Sequence, residues 1–109
     1  NYGIARTNIG RTYLAWGREE GQENHNIPRA VELLEKAVEY GMTDANTYLN
    51  LGTAYGIQGR NEKAVQCFEK TVAIEPNNQT AWRNLSIAYR AMGNMAKADE
   101  CRQRADALR

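Results

Sequence analysis

The chain has one histidine, one phenylalanine, two prolines and two cysteines in 109 residues. A single histidine, His25, excludes metal centres built on paired imidazoles. No GxSxG, HExxH or glycine-rich phosphate loop is present, so the usual hydrolytic and nucleotide chemistries have no starting point. Carboxylates such as Glu19, Glu20, Glu62 and Glu69 sit among lysines and arginines and read as solvated helix faces. No enzyme activity, cofactor or metal is therefore expected. The net charge of +1 gives no global field for a nucleic acid. No apolar run approaches the ~20 residues that span a bilayer, and no signal peptide is visible, so membrane insertion is not expected. The opening residue is Asn1 rather than methionine, which fits a segment of a longer protein.

Cys67 and Cys101 are 34 residues apart. If they occupy equivalent places on neighbouring helices, their Cα atoms exceed the ~7 Å reach of a disulfide. Free, structural thiols are expected, which fits a reducing compartment such as the cytoplasm.

What the sequence does contain is itself, twice over. Shifted by 34, Asn50, Leu51, Ala54, Tyr55, Gly59, Lys63, Ala64 and Cys67 recur as Asn84, Leu85, Ala88, Tyr89, Gly93, Lys97, Ala98 and Cys101. A weaker copy precedes them. Asn8, Ile9, Gly10 and Tyr13 match Asn50, Leu51, Gly52 and Tyr55 at an offset of 42, while Ala30, Leu34 and Ala37 match Ala64, Phe68 and Thr71 at an offset of 34. The difference, 42 − 34, implies eight residues inserted near "REEGQENHNIP". This predicts a first helix one turn longer than the others, then a loop over about 18–28 holding His25.

Each copy reads as two helices. Tyr48, Leu51 and Tyr55 recur at three and four residues, and Ala64, Phe68 and Val72 carry the next stripe. Gly59 stops the first helix, because the left-handed conformation at a helix C-terminus is cheapest for glycine. Asn61 is placed to cap the second, and Pro76 ends it.

These residues resemble the tetratricopeptide repeat, W-x2-L-G-x2-Y, A-x3-F and P over 34 residues. The second unit supplies Tyr48, Leu51, Gly52, Tyr55, Ala64, Phe68 and Pro76. The third supplies Trp82, Leu85, Ser86, Tyr89 and Ala98, and departs at Arg102. The first supplies Arg6, Ile9, Gly10, Tyr13, Ala30 and Leu34, with Met42 where proline is usual. The resemblance implies an all-α fold: a right-handed superhelical solenoid of three antiparallel helix-turn-helix repeats over 3–44, 45–78 and 79–109.

It also implies a concave face built from the first helix of each unit. Residues expected there are Thr7, Asn8, Arg11, Leu14 and Ala15; then Leu49, Asn50, Thr53, Gly56 and Ile57; then Arg83, Asn84, Ile87, Arg90 and Ala91. Asn8, Asn50 and Asn84 would form a ladder of amides able to hydrogen-bond an extended peptide backbone or, alternatively, the adjacent unit. Arg11, Arg83 and Arg90 extend the expectation to an acidic segment or a C-terminal carboxylate. Leu49, Ile57 and Ile87 add apolar patches. Related domains that grip heat-shock chaperone tails use Lys and Asn in the first unit, Asn in the second, and Lys and Arg in the third. The corresponding residues, Thr7, Arg11, Asn50, Thr80 and Asn84, match only at Asn50, so such a ligand is not expected.

In the third unit Asp99, Arg102 and Asp106 stand where the second has Val65, Phe68 and Val72, which predicts a polar end to the array. At the other edge Ile4, Leu14 and Trp16 leave apolar groups on the first helix, so upstream packing partners stay open. Two functions follow: a module that binds a segment of a partner protein in its groove, or a structural or self-association segment of a larger protein, flanking an enzyme domain and making contact through the N-terminal edge.

Overall fold

A computed structural model describes residues 2–108. Six helices follow one another: α1 (Tyr2–Gln22), α2 (Ile27–Glu39), α3 (Ala45–Ile57), α4 (Asn61–Ile74), α5 (Gln79–Ala91) and α6 (Met95–Ala107). Short connections make each consecutive pair an antiparallel hairpin. The hairpins stack into a body of 46 × 26 × 21 Å. No strand occurs among the described residues.

The turns inside the hairpins are set by one left-handed residue each. Gly59 (φ 78°) and Gly93 (φ 82°) end α3 and α5, and His25 (φ 55°) occupies the same place after α1. Asparagine caps follow in two of the three: Asn26 accepts from the Arg29 amide at 3.3 Å and Asn94 from the Lys97 amide at 3.2 Å. The second unit has Arg60 at this position and no side-chain cap. Asn61, expected to cap α4, is its first residue instead. Pro28 lies in the first turn of α2, where its missing N–H costs nothing.

The core is one cluster threaded through the stack, including Val31, Leu34, Leu51, Tyr55, Phe68, Leu85 and Cys101. Two buried threonines are satisfied. Thr71 Oγ1 donates to the Cys67 carbonyl at 3.0 Å, and Thr47 donates to Asp44. Along the outer face of α6, Asp99, Arg102 and Asp106 are exposed, and Arg102 lies 3.8 Å from Asp99. No Arg102–Asp106 pair forms among the described residues.

Helices within a hairpin approach until side chains meet backbone. A Cβ on Gly52 would lie 2.7 Å from Cε1 of Phe68 and 3.0 Å from Cβ of Cys67. In the first hairpin the residue in that role is Gly17, whose Cβ would lie 2.9 Å from Cγ of Leu34. Gly21 faces Ala30 as Gly56 faces Ala64. This corrects the register. The equivalent of "YLNLG" (48–52) is "YLAWG" (13–17), at an offset of 35, and not the stretch around Asn8 and Gly10.

The loop expected over 18–28 shrinks accordingly to residues 23–26. Arg18 to Gln22 are helical, since Gly21 packs against α2 and so continues α1. The extra residues lie at the N-terminal end of α1, as an overhang beyond the level of Ala45. Gly10 meets Tyr40 and Met42 at the far end of α2, and the Arg6 guanidinium donates to the Glu39 carbonyl and stacks 5.0 Å from the Tyr40 ring.

These contacts separate two glycines of one helix. Gly52→Ala should lower stability by about 1–3 kcal/mol, because Phe68 and Cys67 leave no room for the methyl. Gly56→Ala, 4.0 Å from its nearest neighbour, should raise it by about 0.5–1 kcal/mol through helix propensity. Urea unfolding followed by circular dichroism distinguishes the two, and Gly17→Ala should behave as Gly52→Ala does.

Candidate functional site

The first helices of the hairpins, α1, α3 and α5, run side by side and enclose two clefts. One, of about 210 Å³, is lined by Thr53, Gly56, Ile57, Asn61 and Phe68 of the second hairpin and by Asn84, Ile87 and Ala88 of α5. The other, of about 100 Å³, is lined by Gly17, Arg18, Gly21, Gln22, Ile27, Ala30 and Leu34 of the first hairpin and by Asn50, Thr53, Ala54 and Ile57 of α3. They are the same cleft one unit apart. Asn50 and Asn84 correspond, as do Thr53 and Ile87, Gly21 and Gly56, and Leu34 and Phe68. Thr53 and Ile57 line both clefts and form the divide between them.

Of the residues expected to face the groove, Asn50, Thr53, Ile57, Asn84 and Ile87 are brought together in these clefts. Leu49 is half-buried and packs against the core, so it belongs to the scaffold. Arg83 and Arg90 are exposed on α5, on the face that carries Asn84 and Ile87. Asn8 is not level with Asn50; it lines a shallow depression with Gly3, Ile4, Thr7 and Arg11 on the overhang. The position equivalent to Asn50 in α1 is Ala15, so the ladder of amides has two members rather than three. Arg11 shares a helical face with Arg18, seven residues on. Arg18 and Gln22 were missed by the sequence reading. The signal that could have found them is the pair Gly17 and Gly21, which repeats Gly52 and Gly56.

The Asn50 Nδ2 is buried in its cleft with no hydrogen-bond partner among the described residues, so it does not brace the neighbouring unit.

Most of the cations are engaged. Arg29 lies 3.0 Å from Glu32 and stacks on Trp16, Arg104 pairs with Glu100 and stacks on Trp82, and Arg60 stacks on Tyr55. Lys63 and Lys97 lie 5.5 and 5.4 Å from the rings of Tyr55 and Tyr89. Those tyrosines in turn bond Glu35 and Glu69 of the preceding hairpin. Burial first, then the neighbouring carboxylates, hold both phenols above their ordinary pKa. Arg11, Arg18, Arg83 and Arg90 are the contrast: all four are exposed, and none has an ion pair, hydrogen bond or ring contact among the described residues.

No three His, Cys, Asp or Glu side chains converge as metal ligands among the described residues, and no described helix is long and apolar enough to cross a membrane. Cys67 and Cys101 are buried free thiols.

No curated protein matches the chain. The tetratricopeptide-repeat family model matches residues 45–78. The first solved structures it resembles are those of MamA, with 24% identity and a TM-score of 0.84 over 94% of this chain. The second tetratricopeptide domain of Spaghetti (RPAP3), bound to the HSP90 peptide SRMEEVD, superposes with a TM-score of 0.86 at 17% identity, over 97% of this chain and 99% of that one. The chain is a tetratricopeptide-repeat array. The tetratricopeptide domain of Arabidopsis OM64 is similar to it as well, with a TM-score of 0.85 at 17% identity over 94% of this chain and 84% of that one. The array spans 59% of MamA's length. Its three hairpins form the right-handed helical solenoid of the family.

Burial pushes the Cys67 thiol up to about 11, with Glu35 adding and Lys70 and Lys63 opposing. A raised thiol pKa stabilises the fold below the unfolded value, near 9.0, and that contribution is lost as pH rises toward 11. Urea midpoints should therefore fall between pH 8 and pH 10.5, and fall less steeply in a Cys67→Ala variant referenced to its own value at pH 8.

Proposed function

We propose that the array is a protein-interaction module that holds an extended, acidic segment of a partner protein along α1, α3 and α5. The observation that carries this reading is the set of four unengaged arginines on the concave side, in a molecule whose other described arginines all have partners. Arginine holds carboxylates bidentately, and its weak hydration makes desolvation on binding less costly than for lysine. The Asn50 and Asn84 amides supply donors and acceptors for a ligand backbone whatever its side chains. Ile57 and Ile87, 64% and 62% exposed, supply apolar contact.

The neighbour bound to SRMEEVD supports peptide binding as something this architecture does. The chaperone-tail pattern itself is not repeated. In the corrected register the first-unit pair becomes Leu14 and Arg18, and only Asn50 agrees.

A second reading has its own observation. Ile9 and Trp16 are 43% and 41% exposed on the outer face of α1, on the side that α3 turns toward α2 in the next unit. That edge suits packing against further helices or a second copy. Sedimentation that reports a concentration-dependent dimer, lost on Trp16→Glu, would favour it.

For the groove, Asn50→Ala combined with Arg83→Glu and Arg90→Glu should abolish capture of a fluorescein-labelled polyglutamate peptide while leaving helicity unchanged. Affinity of the unaltered array should fall as salt is raised through ~0.15 M, since exposed charges are screened beyond about 8 Å. Undiminished binding by the triple variant would place the contact elsewhere.

A further inference from the structure

Each interface between hairpins has a receiving side, on the first helix of the later hairpin. In α3 it is Tyr48, Leu51 and Tyr55, and in α5 it is Trp82, Leu85 and Tyr89. Leu51 and Leu85 are only 5% and 1% exposed, and the two tyrosines bond Glu35 and Glu69 of the hairpin before. The same positions in α1 are Tyr13, Trp16 and Glu20. Trp16 is 41% exposed even with Arg29 stacked on it, and Ile9, two turns earlier on that face, is 43% exposed. We infer that α1 pairs antiparallel with α1 of a second copy of this chain, about a two-fold axis, with Trp16 of each against Ile9 of the other. The inference rests on the second reading above and adds the occupant of that edge, its direction and its register.

The other end of the array does not suit that edge. The positions that hold Glu35 and Val38 in α2, and Glu69 and Val72 in α4, hold Gln103 and Asp106 in α6, with Asp99 and Arg102 beside them. All four are exposed. Head-to-tail stacking would take those charges out of water against an indole and an isoleucine, which is costly. A two-fold contact instead sets the apolar edge against its own copy, and it closes at two chains without growing into a filament.

Charge sets the direction. No carboxylate side chain precedes Glu19 in the chain, and Glu19, Glu20 and Glu23 then stand together at the end of α1. Its N-terminal half carries Arg6 and Arg11 instead. A parallel pair would set the acidic end of one copy on the acidic end of the other. An antiparallel pair sets it on the basic half, and on the positive end of the partner's helix dipole. With Trp16 opposite Ile9, Thr12 meets Tyr13 at the axis. Glu20 shares the face of Trp16 one turn on, and falls beside Arg6 of the other copy. Both groups have capacity left for that contact. The Glu20 carboxylate accepts from the Asn24 amide at 3.3 Å and keeps further acceptor sites, and the Arg6 guanidinium donates to the Glu39 carbonyl and keeps further N–H groups.

The test is sedimentation equilibrium of the whole chain over a range of concentrations, with helicity checked by circular dichroism. The unaltered chain should form a dimer and no larger species. Arg6→Glu and Glu20→Arg each place like charges together at two symmetry-related contacts, and each should weaken the dimer about tenfold. Arg6→Glu/Glu20→Arg puts opposite charges back across the axis and should recover the original affinity. In a parallel pair like would still meet like, so recovery in the double variant is specific to the antiparallel arrangement. If the dimer is lost on Trp16→Glu but ignores the charge substitutions, the self-associating edge stands and the antiparallel register has failed. A chain that stays monomeric, or a dimer that Trp16→Glu leaves intact, overturns both. Species that grow beyond the dimer would mean head-to-tail stacking and overturn the two-fold contact.

Discussion

A helix pair of this length cannot bury its own apolar side, and it can only begin to do so if its two backbones come nearly into contact. Gly52 against Phe68 and Gly17 against Leu34 set that approach. Val31, Leu34, Leu85 and Ala88 join Leu51, Tyr55 and Phe68 in one core that runs across the hairpins. Stability in such a stack is a sum of unit and interface terms. The clefts are a by-product of the same geometry. Tight approach inside each hairpin and looser contact between successive first helices leave a gap between α1 and α3 and again between α3 and α5.

The interfaces between hairpins carry polar restraints as well as packing. Tyr55 reaches back to Glu35, and Tyr89 to Glu69, at the same spacing in both interfaces. A lysine lies over each ring, so every group in the arrangement is engaged. A buried or half-buried phenol is costly without a partner. The pairing ties each hairpin to the one before it. In the first hairpin Glu20 stands at the tyrosine position and Arg29 stacks on Trp16 instead.

Much of this was legible in the residues, because a 34-residue period fixes the number of helices, their pairing and their inward faces. What misled was the first unit. Asn8, Ile9, Gly10 and Tyr13 copy four letters of the second unit, and a letter match does not report which glycine touches which side chain. The decisive relation is between helices: Gly17 to Leu34 is a contact across seventeen residues, as Gly52 to Phe68 is across sixteen. Reading the pair rather than the string would have placed Arg18 and Gln22 in the groove and Asn8 outside it. The Asn61 cap failed for a smaller reason, a displacement by one residue, where Arg60 follows Gly59 directly.

The division of the cations into engaged and unengaged sets separates those that support the fold from those that do not. The exposed Arg11, Arg18, Arg83 and Arg90 make no ion pair, hydrogen bond or ring contact among the described residues. The other described cations lie over aromatic rings, beside carboxylates or on a backbone carbonyl, and so contribute to the fold. Substitutions at the four unengaged arginines should consequently alter binding with little effect on stability, whereas changes at Gly52, Tyr55 or Glu35 should alter both. The groove is thus the part of this array whose chemistry is free to vary while the stack holds.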